Sequence, residues 1–207
     1  MVNRLQELCS GMFSDELDKM GYRDQVIQGM NLNTSTKMYG VAKTVLIEEV
    51  ETDDENIRAG LSFLGTLSHN DILCVQGSEQ FAYFGELMTR LSIRQRIGGV
   101  VIGGFTRDSS FTKTVPLPIF ASGYSPKDIK GRGCVKDTNT LIKINNKQIY
   151  PGDYIFGDSD GVVVIPQKCR EELEKRILNV LENERSIVED IRSGKSVNYI
   201  LEHYKEF

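Results

Sequence analysis

The chain of 207 residues has no tryptophan, two histidines and four cysteines. The cysteines show no Cys-x-x-Cys or Cys/His spacing, which argues against a zinc site and against a disulfide framework. His69 and His203 are isolated in sequence, so neither is needed as a metal ligand. We expect the thiols to be reduced and structural; they are Cys9, Cys74, Cys134 and Cys169.

Long apolar runs and a net positive charge are also missing. No stretch approaches the roughly 18 uninterrupted apolar residues of a membrane span, and residues 1–7 lack the apolar core of a secretion signal. The 25 basic and 29 acidic residues give a net charge of −4, so no overall cationic field attracts nucleic acid. We expect a cytoplasmic protein that binds neither nucleic acid nor membranes, with one domain over residues 1–207.

Helices and a strand are predicted for the first third of the chain. Apolar residues recur at helical spacing from Leu5 to Met12, Ser14 is a candidate N-cap before an acidic first turn, and Gly21 is a candidate helix stop. Residues 41–47 have a strand pattern, and the polar residues 48–56 lead to a candidate helix that ends at Leu67.

A strand, a helix and a second strand are predicted between residues 71 and 103. The strands are the apolar segments 71–76 and 100–103, and the helix covers residues 84–96. Because this order is typical of a βαβ crossover with parallel strands, we expect Glu86 and Arg107-Asp108 to meet at the carboxyl edge of the sheet. The helix is expected to bury four apolar side chains, which are Leu87, Met88, Leu91 and Ile93.

Short strands and turns alternate in the next part of the chain, and a long helix follows. We predict a proline-limited strand at 116–121, a turn at 131–133, antiparallel pairing within 141–149, and strands at 154–156 and 162–165. A charged helix of about residues 167–192 is expected to end at Gly194. Its apolar face would comprise Leu173, Ile177, Val180, Leu181, Val188 and Ile191.

Two acidic motifs compete as candidate metal sites. Asp158 and Asp160 lie in a Gly-Asp-Ser-Asp-Gly turn, where side chains usually bond to their own backbone, so we assign them a structural role. Glu86, Arg107 and Asp108 instead combine two carboxylates with one guanidinium, a set that suits a metal ion and a small oxo-acid anion. Taken alone, Arg107-Asp108 is most simply explained as a surface ion pair. Glu86 alone is most simply explained as an acidic residue that interacts favourably with the helix dipole in the first turn of a helix.

Several motifs in order carry a family resemblance over roughly residues 5–195. Residues 15–18 (DELD), 40–44 (GVAKT), Gly85-Glu86, 99–102 (GVVI) with Arg107-Asp108, and 151–153 (PGD) with 158–164 (DSDGVVV) occur in sequence. The chain thereby resembles the RraA-like family, which contains the 4-hydroxy-4-methyl-2-oxoglutarate aldolases and the regulator of ribonuclease activity A. The resemblance implies an α/β fold of the swivelling β/β/α type, with a central mixed sheet flanked by helices.

The aldolases of this family are recognised by an acidic residue, twenty intervening residues and Arg-Asp, a pattern that Glu86, Arg107 and Asp108 match. By that resemblance Asp108 would ligate Mg²⁺ or Mn²⁺, and Arg107 would grip the 2-oxo-acid end of the substrate. The backbone amides of Leu87 and Met88 would face the substrate carboxylate. Glu86, which stands where aspartate is more usual, would relay a proton through a metal-bound water.

The resemblance further implies the reaction. A class II aldolase or lyase would cleave a 4-hydroxy-2-oxo acid such as 4-hydroxy-4-methyl-2-oxoglutarate and release pyruvate through a metal-stabilised enolate, and decarboxylation of oxaloacetate would pass through the same enolate. A related substrate that shares only the 2-oxo-acid head is another option, with residues 77–84 shaping its distal pocket. The alternative function is a non-catalytic regulator that binds a ribonuclease or a helicase.

Family members assemble as trimers or paired trimers, so the resemblance implies a homotrimer or hexamer for this chain. The C-terminal helix would then lend an acidic residue to the metal shell of a neighbouring subunit. Glu184 and Glu189 are both candidates for that residue, and the sequence does not choose between them.

Overall fold

A mixed sheet organises residues 2–33, 36–51 and 57–204, which are the residues that the computed structural model describes. The strands are β1 Val26–Ile27, β2 Asn31–Leu32, β3 Met38–Glu49, β4 Asp71–Gln76, β5 Ala82–Phe84, β6 Gly99–Thr106, β7 Ile119–Tyr124, β8 Gly133–Thr138, β9 Ile142–Ile144, β10 Lys147–Ile149, β11 Tyr154–Asp158 and β12 Gly161–Ile165. The α-helices are α1 Ser10–Lys19, α2 Ile57–Thr66, α3 Glu86–Gln95, α4 Ser109–Thr112, α5 Arg170–Arg192 and α6 Val197–His203.

The sheet has a parallel centre and antiparallel flanks. Its order is β1-β12-β11-β3-β4-β6-β7-β2, with β5 added to β6 and β8 added to β3, while β9 and β10 form a separate hairpin. Strands β3, β4, β6 and β7 run parallel. The predicted βαβ crossover is confirmed, because α3 connects the neighbouring parallel strands β4 and β6. The fold is therefore a mixed α/β domain with helices against its central sheet.

Alternating side chains divide the core between the two faces of the sheet. Leu73 and Val75 of β4 pack in a cluster with Phe63 and Leu64 of α2, whereas Cys74 of β4 points to the other face. That second cluster contains the isoleucines of the β9–β10 hairpin. This division follows from the two-residue period of a strand.

A third apolar cluster joins the N-terminal and C-terminal helices to the antiparallel strands. Phe13 of α1 stacks on Phe156 of β11 with 4.4 Å between ring centroids. Leu173 and Ile177 of α5 complete the cluster. None of the helices in the described ranges has the length and apolar character that a membrane-spanning segment requires.

Several predicted boundaries differ from the structure. Ser14 lies inside α1 and does not cap it, because a 3-10 helix, Val2–Glu7, precedes a helix that begins at Ser10. The strand predicted at 116–121 begins only at Ile119, since the prolines at 116 and 118 cannot donate to the ladder, and it continues to Tyr124. The predicted polar segment 48–56 lies partly outside the described residues, as residues 52–56 are not among them.

The C-terminal helix also differs in detail from its prediction. A 3-10 turn, Gln167–Cys169, comes first, and the α-helix begins at Arg170. Gly194 follows the helix with φ of 86°, a conformation that glycine adopts without steric cost, so its predicted role as a stop is confirmed. Val188 and Ile191, expected on the buried face, are exposed. The described strands and helices that the sequence did not predict include β1, β2, β8 and α6.

Candidate active site

The backbone brings the two predicted motifs together through strands β5 and β6. Phe84, the last residue of β5, pairs with Thr106, the last residue of β6. The carbonyl oxygen of Phe84 accepts hydrogen bonds from Thr106 Oγ1 at 2.7 Å and from the Arg107 amide at 3.0 Å. Because β5 and β6 both end at this point, Gly85-Glu86 and Arg107-Asp108 lie side by side, as the parallel topology predicts.

Asp108 is fixed against the first turn of α3. Its Oδ2 accepts the backbone N–H of Glu86 at 2.8 Å, although the residue belongs to a different loop. Asp108 has φ of 57° and ψ of 45°, a left-handed conformation that aspartate tolerates better than most residues. A Cβ atom on Gly85 would lie 2.4 Å from this Oδ2, so the close approach requires glycine at position 85.

The Asp108 carboxylate keeps capacity for a further partner. Its side chain is 41% exposed, and its bonded oxygen Oδ2 lies 3.6 Å from Arg107 Nε. No contact in the described part of the chain occupies Oδ1. A carboxylate has about four acceptor positions. The arrangement therefore leaves Oδ1 available to a cation or a donor.

Arg107 is held by a carboxylate that the sequence analysis missed. Asp128 Oδ2 accepts a hydrogen bond from Arg107 Nη1 at 2.7 Å. Burial raises the pKa of Asp128, but the hydrogen bond from Arg107, the Lys130 amide and the nearby positive charges outweigh that effect and lower the pKa overall. The ion pair fixes one edge of the guanidinium. In the described part of the chain, no side chain pairs with the other terminal nitrogen, Nη2, which can therefore donate to an anion.

Glu86 is also paired, and with a residue on its own helix. Its Oε1 accepts from Arg90 Nε at 2.8 Å and lies 2.7 Å from Arg90 Nη2, one helical turn further on. The Arg90 guanidinium lies 4.2 Å from the centre of the Phe111 ring in α4. Arg90 thus links the first turn of α3 to the helix that follows Asp108. A Glu and Arg four residues apart is a sequence signal that could have identified this pair.

The first turn of α3 supplies backbone donors. The amides of Leu87 and Met88 have no acceptor within the helix, because the first N–H groups of any helix lack one, and Asp108 already binds that of Glu86. The positive end of the helix dipole adds to their attraction for an anion. The Leu87 side chain is 75% exposed, and Leu91 and Ile93 are exposed as well, so the predicted burial is wrong for these three residues. Met88, the fourth, is partly buried and packs against the core. Thr89 and Ser92 are the residues that α3 buries.

A cleft of about 420 Å³ opens beside these groups. Arg107, Asp108 and Tyr124 line it, together with polar residues of α4 and of the loop after β7. This size suits a small organic acid. A larger cavity of about 760 Å³ lies elsewhere and shares no lining residue with this cleft. Its one carboxylate, Asp153, has both oxygens occupied by backbone amides, so the smaller cleft is the better candidate for acid–base chemistry.

The chemistry of the donor set fits a hard divalent cation in part. Within residues 2–33, 36–51 and 57–204, no three His, Cys, Asp or Glu side chains form a ready metal cage. Asp108 supplies one accessible carboxylate oxygen, and the cleft is open to solvent and substrate. Mg²⁺ commonly binds to one or two carboxylates while water and substrate oxygens complete its shell. Such a sparse site is compatible with Mg²⁺ or Mn²⁺ and unsuited to a structural metal.

The competing acidic motif has the structural role that the sequence predicts. Asp158 is 3% exposed; its Oδ2 accepts the Ser10 amide at 2.8 Å and its Oδ1 the Asp160 amide at 3.0 Å. The four cysteines are free thiols. His203 Nδ1 lies 2.8 Å from the Tyr199 carbonyl oxygen in α6. Glu184 and Glu189 of α5 line a surface groove together, away from Asp108, so a role for either one at a metal site stays a prediction.

The fold and this site define an α/β protein with a small polar cleft at the carboxyl edge of parallel strands. Residues 11–164 match the family model RraA-like: Aldolase/RraA, and the chain belongs to that family. This assignment confirms the resemblance drawn from the motifs. The match covers the central sheet apart from Ile165, the last residue of β12, and it includes Glu86, Arg107 and Asp108.

The individual relatives have low sequence identity to this chain. Protein DlpA of Legionella pneumophila is 26% identical over 209 residues, which cover 99% of this chain and 34% of DlpA. The 4-hydroxy-4-methyl-2-oxoglutarate aldolase of Thermus thermophilus is 28% identical over 93 residues, 44% of this chain and 55% of that protein. The chain thus spans less than two thirds of either relative.

A solved structure supports the fold. Streptomyces coelicolor RraAS2, described as an unusual member of the RNase ES inhibitor RraA protein family, superimposes with a TM-score of 0.78. The two chains are 21% identical, and the match covers 93% of this chain and 95% of that one. At this identity the likeness shows a shared architecture.

Proposed function

We propose that this protein is a divalent-metal-dependent aldolase that cleaves a 4-hydroxy-2-oxo acid, such as 4-hydroxy-4-methyl-2-oxoglutarate, and releases pyruvate. The observation that supports it most is that Arg107 and Asp108 line one open cleft, while the first turn of α3 holds the Asp108 carboxylate through the Glu86 amide. An exposed carboxylate oxygen, a guanidinium and free amides are what a cation and a 2-oxo acid together require. Membership of a family that includes aldolases supports the same reaction.

Asp108 is the residue that would hold Mg²⁺ or Mn²⁺. A divalent cation bound there would act as a Lewis acid toward the negative charge that carbon–carbon cleavage leaves on the 2-oxo-acid fragment. The Glu86 amide keeps the Asp108 side chain in position at 2.8 Å. This contact lowers the entropic cost of binding, because the carboxylate does not have to be ordered when the cation arrives.

Arg107 binds the substrate carboxylate in this proposal. Asp128 holds one nitrogen of its guanidinium, which orients the remaining N–H groups toward the cleft. A planar guanidinium can donate two parallel hydrogen bonds to a carboxylate and keeps its charge at every relevant pH. The amides of Leu87 and Met88 directly follow that of Glu86, which bonds to Asp108, in the first turn of α3. In this proposal they donate hydrogen bonds to the same substrate carboxylate.

Glu86 moves the proton. Its side chain is 40% exposed at the start of α3. Arg90 occupies Oε1, and no group among the described residues bonds to Oε2. The free oxygen can accept a proton from the 4-hydroxyl group and return one to the methylene carbon of the three-carbon fragment, which becomes the methyl group of pyruvate, either directly or through a water molecule. Arg90 restricts the longer glutamate side chain to one side of the helix, which offsets the extra freedom that glutamate has relative to aspartate.

The same groups would support decarboxylation of oxaloacetate. Loss of CO₂ from its 4-carboxylate leaves the same three-carbon fragment and the same negative charge as the aldol cleavage. Arg107 and the helix amides contact only the shared 2-oxo-acid head, so these residues do not distinguish between the two leaving groups. The distal pocket must make that choice, and residues 77–84, which lead into α3, are the nearest candidates.

A trimeric or hexameric assembly in the cytoplasm belongs to the same proposal. Leu87, Leu91 and Ile93 of α3 expose apolar surface that a neighbouring subunit could cover. The same exposed face is also the observation that favours the alternative function, a regulator that binds a ribonuclease or helicase. A pull-down with a ribonuclease would test that alternative.

The decisive experiment measures pyruvate release from 4-hydroxy-4-methyl-2-oxoglutarate, its 4-carboxy relative and oxaloacetate. Wild type and Asp108→Asn are compared with Mg²⁺, with Mn²⁺ and after EDTA. We expect release that requires the metal and is lost in the variant. A folded, metal-supplied wild type that releases no pyruvate from any of the three would contradict the proposed substrate class and favour the regulator.

A further inference from the structure

The cavity of about 760 Å³ has no role in the proposed reaction. It lies at the antiparallel end of the sheet, between the loop after α1, the β9–β10 hairpin and the 3-10 turn before α5. Its volume is within the range of small-molecule sites. The cleft at Asp108 lies at the carboxyl end of β6 and shares no residue with it, so the two are separate sites.

Three lysines converge on this cavity from different elements. Lys143 belongs to β9, Lys147 to β10 and Lys168 to the 3-10 turn. In the described part of the chain, neither Lys143 nor Lys168 takes part in an ion pair with a carboxylate; Lys168 Nζ lies 5.2 Å from the centre of the Tyr22 ring. A chain with a net charge of −4 therefore has a local concentration of positive charge here.

Lys147 is the most constrained of the three. Its side chain is 13% exposed, and its one carboxylate partner, Asp24, lies 3.4 Å away with a side chain that is 93% exposed. Removing an ammonium group from water is costly, and a solvated carboxylate compensates for little of that cost. A bound anion would neutralise Lys147 better than the carboxylate does, and Asp24 could be displaced into solvent without being buried.

The acidic group in the cavity wall does not cancel these charges. Asp153 is buried, and its two oxygens accept the backbone amides of Tyr150 at 2.9 Å and Gln167 at 3.1 Å. Burial raises the pKa of Asp153, while these two hydrogen bonds lower it to a smaller extent. Its carboxylate therefore serves the turn before β11 and the start of the 3-10 turn, and is directed toward the backbone.

The hairpin holds its polar groups in fixed positions. Lys143 and Gln148 are register partners across the β9–β10 pair, and both are exposed on the outer face. Three isoleucines on the inner face anchor the hairpin in the core; they are Ile142, Ile144 and Ile149. The rings of Tyr22 and Tyr150 also line the cavity and offer flat apolar surface beside the lysines. The site is thus cationic, partly aromatic and anchored.

We propose that this cavity binds a small phosphate-bearing molecule, with Lys143, Lys147 and Lys168 contacting its phosphate groups. Lysine is a common phosphate ligand, and three ammonium groups match the two or more negative charges of a di- or triphosphate. A monocarboxylate would leave two of them without a counterion. The tyrosines would contact a ring attached to the phosphates if one is present.

Calorimetric titration of the full chain with tripolyphosphate and with ADP tests the proposal. The variants are the double substitution Lys143→Gln/Lys168→Gln and, as a matched control, Lys175→Gln, which is exposed on α5 and lines neither cavity. We expect saturable binding to wild type, weaker by at least about tenfold in the double variant and unchanged in the control. Tighter binding of ADP would show that the tyrosines contact the ring; equal affinities would show recognition of phosphate alone.

Two results would overturn the proposal. One is the absence of saturable binding of either probe to wild type, and the other is equal affinity in wild type and the double variant. Melting temperatures of all variants verify that they are folded. Asp108→Asn should bind both probes as wild type does, because the two sites share no residue, so a failure here is distinguishable from a failure of the aldolase proposal.

Discussion

Asp108 and Asp158 occupy similar places in the fold and have different environments. Each stands at the end of a strand, and each accepts a backbone amide from another element at 2.8 Å. Asp158 is 3% exposed and uses both oxygens for backbone N–H groups, whereas Asp108 is 41% exposed and uses one. The comparison shows that the unused acceptor capacity of a carboxylate, and not its presence in an acidic motif, marks a candidate ligand site.

The largest effect on activity is expected for Asp108→Asn. Asparagine keeps the shape and tolerates the left-handed backbone, so the fold should remain intact, but the negative charge is lost. We expect metal-dependent pyruvate release to fall by at least about a hundredfold, the size of effect seen when an electrostatic contact to the transition state is removed. Steady-state kinetics with the melting temperature as a control measure it. Unchanged turnover would remove Asp108 from the site.

Asp158→Ala, in contrast to Asp108→Asn, should reduce the stability of the fold. The substitution leaves the buried amide of Ser10 and the partly buried amide of Asp160 without their acceptor, which we expect to cost about 2 kcal/mol of unfolding free energy. Asp160→Ala is the matched control, because that side chain is exposed and its loss should cost less than about 0.5 kcal/mol. Denaturant titration compares the two. Equal stability of both variants would show that the buried contacts of Asp158 are unimportant.

Arg107→Lys sharpens the assignment of the substrate-binding group. Lysine keeps the charge but cannot bind Asp128 and a substrate carboxylate with one planar fork. We expect kcat/KM to fall by about tenfold, mainly through a higher KM. The measurement is the substrate dependence of pyruvate release at saturating metal. If only kcat falls, Arg107 makes a contact that forms in the transition state and is absent from the bound substrate.

Arg90→Gln tests whether the salt bridge positions Glu86. The pair is exposed, so its loss should lower kcat by only about threefold while KM and the melting temperature stay unchanged. Arg90→Lys can still pair with Glu86 and should recover most of kcat. A variant that raises KM as strongly as it lowers kcat would show that Arg90 contacts the substrate itself.

The smallest effect concerns the dependence of stability on pH. Because the pKa of Asp128 is lowered in the folded state, its pair with Arg107 stabilises the fold above the ordinary aspartate pKa, and this contribution is lost as pH falls through the lowered value. Asp128→Asn should remove less than about 1 kcal/mol at pH 7. It should remove less still at an acidic pH below that lowered value, where the wild-type pair is itself lost. Denaturant titration at both pH values measures the difference.

The parallel core and the shared edge of the site were predictable from sequence, and the physical reason is the periodicity of the chain. The apolar segments before and after α3 are short and bounded by polar or glycine residues, so a βαβ unit follows from them. Parallel topology then places Glu86 and Asp108 at one edge without any further information. This placement is confirmed by the 2.8 Å contact between the Glu86 amide and Asp108.

The buried face of α3 was not predictable in the same way. Thr89 and Ser92 face the sheet, and Leu87, Leu91 and Ile93 are exposed. The sequence rule assigns apolar residues to the core, but small polar residues permit close packing, and Thr89 satisfies its hydroxyl group by donating to the Gly85 carbonyl at 2.8 Å. The local pattern therefore contains no signal for the true orientation of the helix.

The sequence analysis missed Asp128 because its partner, Arg107, is far from it in sequence. It lies 21 positions from Arg107 in a polar loop, and an isolated parallel bridge between Ala82 and Asp128 brings that loop to the site. No motif near Asp128 indicates this contact. Tertiary pairing of the loop, which sequence spacing does not encode, determines which carboxylate orients the guanidinium.

The most direct test of the distinction between the two aspartates is a Mn²⁺ titration, followed by electron paramagnetic resonance, of wild type and Asp108→Asn with and without pyruvate. We predict that wild type binds Mn²⁺, that pyruvate tightens the binding, and that the variant binds at least about tenfold more weakly. Equal Mn²⁺ affinity in the two proteins, with both folded, would contradict the assignment of the exposed carboxylate as the metal ligand.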